Sequence, residues 1–392
     1  MAVSEYHLIN SKITYLLTNV LFSLHGFPIP NIEKSATWRN SFRCLRCFSI
    51  GFVNFYLGYR IYKFVIQMNL TYDTFPLINA AVSAGIVDSV AIYSHKFSTF
   101  SKRIFGILTK RQLFLSYGAI FRLFTFYSMF GLYVLACSII FPMHANQWFD
   151  AAKRNDSEPD WFHKETIRPC SHILIFVVCS GTVTTHLMLY CLVCCLLQRV
   201  LVSLQEDLRS SIKSKEFLKE FRSSFIQVAD LVRSSDNIFS LIGLVGLASV
   251  LFRACSCIHF YLNLRSSFRD SWFFLLVQVA FDFCGLSALS VFGATVAEEG
   301  KKIAPALFRC CHGVSTRNTD FYIQCLAVGK MVMSSEMSLS AWKLFPFTRK
   351  VLPTVLGATI SYIAVILQMH YAASSEVFRF NEKSTASNSS MG

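Results

Sequence analysis

Seven stretches of this chain, at about residues 45–67, 75–94, 119–141, 170–197, 237–263, 271–296 and 350–371, are apolar over the length of a membrane-crossing helix. A spanning helix needs about 20 such residues, so seven of them predict an all-α membrane protein. Composition agrees, because 15% of the residues are charged and the mean hydropathy is +0.45, whereas a soluble domain carries about a quarter charged residues. A soluble enzyme is excluded on this ground. The spans take up roughly 140 to 180 residues, which leaves loops but no room for a large second domain. The first window carries Arg60 and Lys63 near its outer end, where long basic side chains reach the headgroups. An eighth apolar stretch, Ile13 to Leu24, is too short to span and reads as an interfacial or buried helix. A signal peptide is the other reading, but Lys12 is the only basic residue ahead of it and no small-residue cleavage site follows.

The net charge of +14 raises the question of nucleic acid, and the distribution of charge answers it. With the N-terminus in the cytoplasm, 25 of the 37 Lys and Arg residues fall on the inner side and eight on the outer. This is the positive-inside pattern of a membrane protein, with anionic lipid as the partner rather than nucleic acid. Three Asn-x-Ser/Thr sequons, at Asn69, Asn155 and Asn388, all fall outside in the same topology, where glycosylation can reach them. The tail from Ser374 to Gly392, rich in Ser and Asn, reads as disordered. Most of the 14 cysteines sit in apolar runs as small buried hydrophobes and form no disulfide framework.

Between Gln198 and Asp236 seven basic and six acidic residues alternate, while Leu201, Leu204, Leu208, Ile212, Phe217, Phe221, Phe225 and Val228 recur at steps of mostly three and four. That is an amphipathic helix. It fits either a solvated linker or, preferably, a helical continuation of the fourth and fifth spans below the membrane. Ile303 to Ser340 is similar, with a break predicted at Gly313 to Asn318.

In the last window, Thr354, Ser361 and Gln368 are spaced seven apart, and Gly357, Ala364 and Val365 fill the same face. Val355, Leu356, Ile360, Ile363, Ile366 and Leu367 face elsewhere. A small, mildly polar stripe without fixed charge suits close helix packing or the lining of a narrow cation path; composition alone favours packing. Ser361-Tyr362, the five apolar residues Ile363 to Leu367, and Gln368-Met369 resemble the last-helix signature of insect gustatory receptors and the related odorant receptors. That signature reads Thr-Tyr, five hydrophobic residues, Gln, then Phe or another apolar residue, so Ser and Met are the departures here. Leu344 to Leu352 is similar to the short segment that re-enters ahead of that helix.

The resemblance implies a tastant-gated, non-selective cation channel in the plasma membrane of sensory neurons. It would be a homotetramer, or a heterotetramer with other gustatory receptors, passing monovalent and divalent cations with no cofactor. Four last helices would surround the pore, lined by Thr354, Gly357, Ser361, Val365 and Gln368, with Val365 and Gln368 at the gate. The chain then divides into a cytoplasmic N-terminal segment (1–44), six spans holding a ligand pocket (45–296), a cytoplasmic helical anchor (297–349), the pore helix (350–371) and an extracellular tail (372–392).

The pocket implied by the resemblance lies among the outer halves of the second to sixth spans, where His172, Thr182, Thr185, His186, His259, Tyr261, Trp272 and Gln278 supply aromatic walls and hydrogen-bonding groups. Each of these also fits ordinary packing. Arg253 and Asp282 fall at similar depth on the fifth and sixth spans and read as a structural ion pair, with ligand contact as the alternative. Asp88 and Arg122 form a second such pair by the same argument. The lone Cys44-x-x-Cys47 has no matching partner pair for zinc; lipidation of Cys44, Cys47, Cys310 or Cys311 suits the membrane face better. No phosphate-cradling Gly loop or catalytic motif is present. A G-protein-coupled receptor would need the opposite orientation and lacks its Asp-Arg-Tyr and Asn-Pro-x-x-Tyr motifs here, and a transporter would more often show paired repeats.

Overall fold

Three helices about twice as long as a membrane is thick organise the computed structural model. It describes residues 94–111, 167–210, 215–263, 272–312 and 319–366 with few gaps, and scattered positions between 50 and 133 and at 368–369. Side chains are described on the three long helices from His186 to Arg209, from Glu216 to Ala248 together with Leu251, and from Ala280 to Cys310 except Asp282. The elements are α1 (Ser94–Lys110), α2 (Ile167–Ser210), α3 (Lys215–Asn263), α4 (Trp272–His312), α5 (Thr319–Ser334), the two-residue strands β1 (Ser340–Ala341) and β2 (Phe345–Pro346), and α6 (Val351–Ile366). Among the described residues the regular structure is helical apart from one small hairpin, which the sequence did not announce. Helical residues also occur within the first three apolar windows wherever these are described.

The 44, 49 and 41 residues of α2, α3 and α4 correspond to lengths of about 60 to 75 Å, against about 30 Å of hydrocarbon. The preferred reading of residues 198–236, helical continuation of the flanking apolar windows, is what forms. The segment is however not one helix. Leu201, Leu204 and Leu208 are buried on α2, which ends at Ser210, and Phe221, Phe225 and Val228 on α3, which begins at Lys215. The break expected at 313–318 lies outside the described residues, between α4 and α5.

The core is built around α2. Every residue from Leu187 to Leu197 is buried, which on a helix means contact on all sides. Its most extensive partner is α4, followed by α3. Helix α1 lays Phe97, Phe100, Ile104 and Leu108, three to four residues apart, into the same core. Phe97 meets Phe239 of α3 edge-on at 5.9 Å. Just past its end, Arg111 donates to Asp207 Oδ2 (2.6 Å) and Ser203 Oγ (3.1 Å) on α2. On α5, Phe321, Cys325, Val328 and Val332 are buried, and Cys325 is disulfide-bonded. Asp88 and Arg122 do not pair. Asp88 accepts from Asn54 Nδ2 at 3.0 Å, while Arg122 donates to Gly118 O and sits 5.8 Å from the Phe292 ring. A similar place along two apolar windows does not set the direction in which a helix points a side chain, and the Asn54 amide from the first window serves the carboxylate instead.

Candidate functional site

The last helix is reached through a hook of about ten residues, and the hook is fastened at three points. The first is Asp236 on α3, whose Oδ1 accepts from both the backbone N–H (2.6 Å) and the hydroxyl (2.8 Å) of Ser340. That hydroxyl also accepts from the N–H of Lys343 at 3.1 Å. Lys343, with φ 60°, turns the chain in the left-handed region, and β1 pairs with β2 so that Ser340 faces Pro346 and Ala341 faces Phe345. The N–H of Phe347 then donates to Leu339 O at 2.8 Å, which closes the hairpin.

The second point is Phe347 itself, which is completely buried. Its ring meets Tyr190 of α2 at 6.0 Å and 64°, and Phe345 at 6.5 Å and 76°, the tilted geometry that aromatic pairs prefer. The slot exists because two helix positions carry no side chain. A Cβ on Gly243 of α3 would lie 2.6 Å from Phe347 Cζ, and one on Gly293 of α4 would lie 2.7 Å from Phe347 Cβ and 2.6 Å from Tyr190 Oη. The third point is an exposed ion pair, Arg349 to Glu298 of α4 at 2.8 Å. Together these fix the start of α6 to all three long helices.

In α6, Pro353 occupies the first turn, where its missing N–H costs nothing. Val355 and Thr359 are buried and Val351, Leu352, Ile363 and Ile366 half-buried, a seam at helical spacing. Val355 joins Leu247 of α3 and Leu286 of α4 in a small apolar cluster, with Leu251 and Phe283 against it. Thr354, Gly357, Ser361, Val365 and Gln368 are all exposed in the single chain. At 100° per residue, the centre of this stripe lies about 140° around the helix from the seam. Two of its hydroxyls donate inward along the helix, Thr354 Oγ1 to Lys350 O at 2.8 Å and Ser361 Oγ to Gly357 O at 2.9 Å. Their proton is thereby used, and what each oxygen has left to offer is lone pairs. Tyr362, of the same signature, is also exposed.

Of the residues named for the ligand pocket, His186 is buried on α2. The side chains of His172, Thr182, Thr185, His259, Tyr261, Trp272 and Gln278 lie outside the described residues, as do those of Arg253 and Asp282 and the sequons at Asn69, Asn155 and Asn388. Among the described residues no group of three or more His, Cys, Asp or Glu could hold a metal ion. Reading the sequence missed the fastening residues Asp236, Phe347, Gly243 and Gly293. The available signals were faint: Asp236 is the last charge before an apolar window, and the two glycines are isolated breaks in helical apolar runs.

The hook, α6 and most of the bundle they are fastened to lie within residues 177–377, and this stretch matches the family model described as trehalose receptor. The match spans just over half of the 392 residues. The chain belongs to the trehalose receptor family. This family consists of insect gustatory receptors, within the insect chemoreceptor superfamily, which makes the protein a transmembrane chemosensory receptor. The fold is that of an insect olfactory receptor. The structure of OR5 from Machilis hrabei in complex with eugenol superposes with a TM-score of 0.73 over 93% of this chain and 99% of that one, at 13% identity. A second structure of OR5 from Machilis hrabei gives 0.71 over 92% and 99%, at 12% identity. Comparison with curated proteins found no match.

Proposed function

We propose that this receptor is a tastant-gated, non-selective cation channel of the sensory-neuron plasma membrane. Seven helices span the bilayer, with the N-terminus in the cytoplasm and the C-terminus outside, and four copies of α6 surround a central pore. The observation that carries the proposal is the division of α6 into two faces. The apolar seam through Val355 is taken up by α3 and α4, and the small polar stripe lies within the broader face the chain leaves uncovered. Facing an axis, the Thr354 and Ser361 oxygens present lone pairs, and the Gln368 amide oxygen can replace part of a cation's hydration shell without binding it tightly. A ring of four Val365 side chains closes the path by dewetting.

Gating follows from the fastenings. A tastant bound among the outer halves of the bundle, near His172, Thr182, Thr185, His186, His259, Tyr261, Trp272 and Gln278, shifts α2 to α4 relative to one another. The hook carries that shift to α6, because Asp236, Tyr190 and Glu298 sit one on each of the three helices. The family's description makes a disaccharide, trehalose first, the tastant class to try.

The test is a panel of sugars and bitter compounds on cells expressing the receptor but lacking functional G proteins, read as calcium signals and whole-cell current. An agonist should evoke current without G proteins, and Gln368→Arg should abolish it or change ion selectivity by placing guanidinium charge in the cation path. Current and permeability like the wild type, at equal surface expression, would remove Gln368 from the pore.

A further inference from the structure

Below the apolar part of the bundle, α2 and α4 border a half-open cavity of about 320 Å³ lined by Gln205, Arg209, Lys302, Ala306, Arg309 and Cys310. Its polar content is mostly positive. Gln205 and Arg209 are one turn apart on α2, and Lys302, Ala306 and Arg309 follow at steps of four and three on α4, so each helix turns one face inward.

One acidic neighbour, Glu299, offsets Lys302, and the two guanidinium groups keep their charge. Glu299 accepts from Lys302 Nζ (2.7 Å) and Gln205 Nε2 (3.0 Å), which holds these two groups in position. Glu206 pairs with Arg199 at 3.4 Å and Asp207 with Arg111 at 2.6 Å, both turned to other cations. Arg209 and Arg309 make no ion pair with another described residue. Two guanidinium groups, an ammonium and an amide around a concavity large enough for a small molecule suit an anion carrying several phosphates, since guanidinium forks match phosphate oxygens two at a time.

Depth indicates the source of that anion. Counting from the inner ends of the fourth and sixth apolar windows, the lining residues lie about 9 to 20 Å below the hydrocarbon. The headgroup layer accounts for only about 5 to 7 Å on each side. We propose that the α2–α4 cavity is a binding site for a polyphosphorylated small anion on the cytoplasmic side, drawn from solution in preference to a lipid headgroup. The cytoplasmic placement rests on the proposed orientation of the chain; the binding itself does not.

The experiment uses the full-length receptor in detergent, titrated with inositol hexakisphosphate and with ATP, and separately in nanodiscs of phosphatidylcholine with or without phosphatidylinositol bisphosphate. Binding is read by calorimetry and by the shift in Tm. Wild type should bind a soluble polyphosphate, and Arg209→Gln/Arg309→Gln should weaken it by about tenfold or more. The double variant Arg222→Gln/Lys330→Gln, which removes the same net charge elsewhere, should leave it unchanged. Binding only in the bisphosphate nanodiscs, lost in the same pocket variant, keeps the site but makes the headgroup its source and overturns the preference for solution. No binding in any arm, or equal weakening by the control pair, overturns the proposal. If the pocket pair elutes as an unfolded receptor, Arg309→Gln alone carries the comparison. Protease access to tagged termini tests the orientation separately, so an outside N-terminus with intact polyphosphate binding would refute the topology and not the site.

Discussion

The fastening of α6 can be dissected through Phe347 and the glycine beneath it. Phe347→Ala removes a completely buried ring and should cost about 3 to 5 kcal/mol, the range for core Phe truncations. Gly243→Ala should cost about 1 to 3 kcal/mol by overpacking, because its Cβ would lie 2.6 Å from Phe347 Cζ and 2.7 Å from Cε2. The next atom it would meet, Ser340 O, is at an ordinary 3.7 Å. The clash is therefore with the ring alone. In the double variant the methyl group enters space the ring has vacated, so the two costs should not add. The pair should be no less stable than Phe347→Ala by itself, a coupling of about 1 to 3 kcal/mol. With an unfolding entropy of about 2.1 cal/mol/K per residue over 392 residues, the ring deletion lowers Tm by about 4 to 6 °C. The glycine change lowers it by about 1 to 4 °C on the same scale. Thermal denaturation followed by fluorescence-detected size exclusion on the four proteins gives the cycle. Additive losses would show that Phe347 does not occupy the Gly243 slot.

The Asp236 fastening should be graded in a way the ion pair is not. Asp236→Ala removes the acceptor of two hydrogen bonds at a half-buried position and should cost about 2 kcal/mol, whereas Ser340→Ala, which keeps the backbone bond to Asp236 and gives up an exposed Lys343 N–H to water, should cost less, about 1 to 1.5 kcal/mol, in the same melting assay. Glu298→Gln should move Tm by less than about 1 °C, because Arg349 and Glu298 are both exposed and such pairs contribute about 0 to 1 kcal/mol. Arg253→Asp and Asp282→Arg should each lose surface expression by leaving a charge unpaired in the membrane, and the double reversal should restore it. Cell-surface labelling of the three variants decides that point, and failure to rescue would exclude the pairing.

The face of α6 was legible in the sequence because helical periodicity alone places Thr354, Gly357, Ser361, Val365 and Gln368 together. Which face of the remainder would pack inward was not. Val355, Ile363 and Ile366 lie on the seam whereas Leu356 and Ile360 are exposed, a choice made by where α3 and α4 lie. The helices α2, α3 and α4 could be read from their apolar runs and the amphipathic repeats beyond them. The hook could not. Lys343 adopts a positive φ that its residue type disfavours, and its hairpin is held by Asp236, 104 positions away from Ser340 in the chain.

Local properties of the chain, namely apolar run length, charge placement and helical period, were enough to establish a helical membrane protein, the continuation of its spans beyond the apolar windows, and a last helix with one small polar face. Those quantities depend on a residue and its neighbours within a few turns. The tertiary structure decided that α2 is buried on all sides from Leu187 to Leu197, that Asp88 binds Asn54 and not Arg122, and that Phe347 enters a slot left by Gly243 and Gly293. Each of these depends on how helices are rotated and set against one another, and periodicity within a single helix carries no information about that.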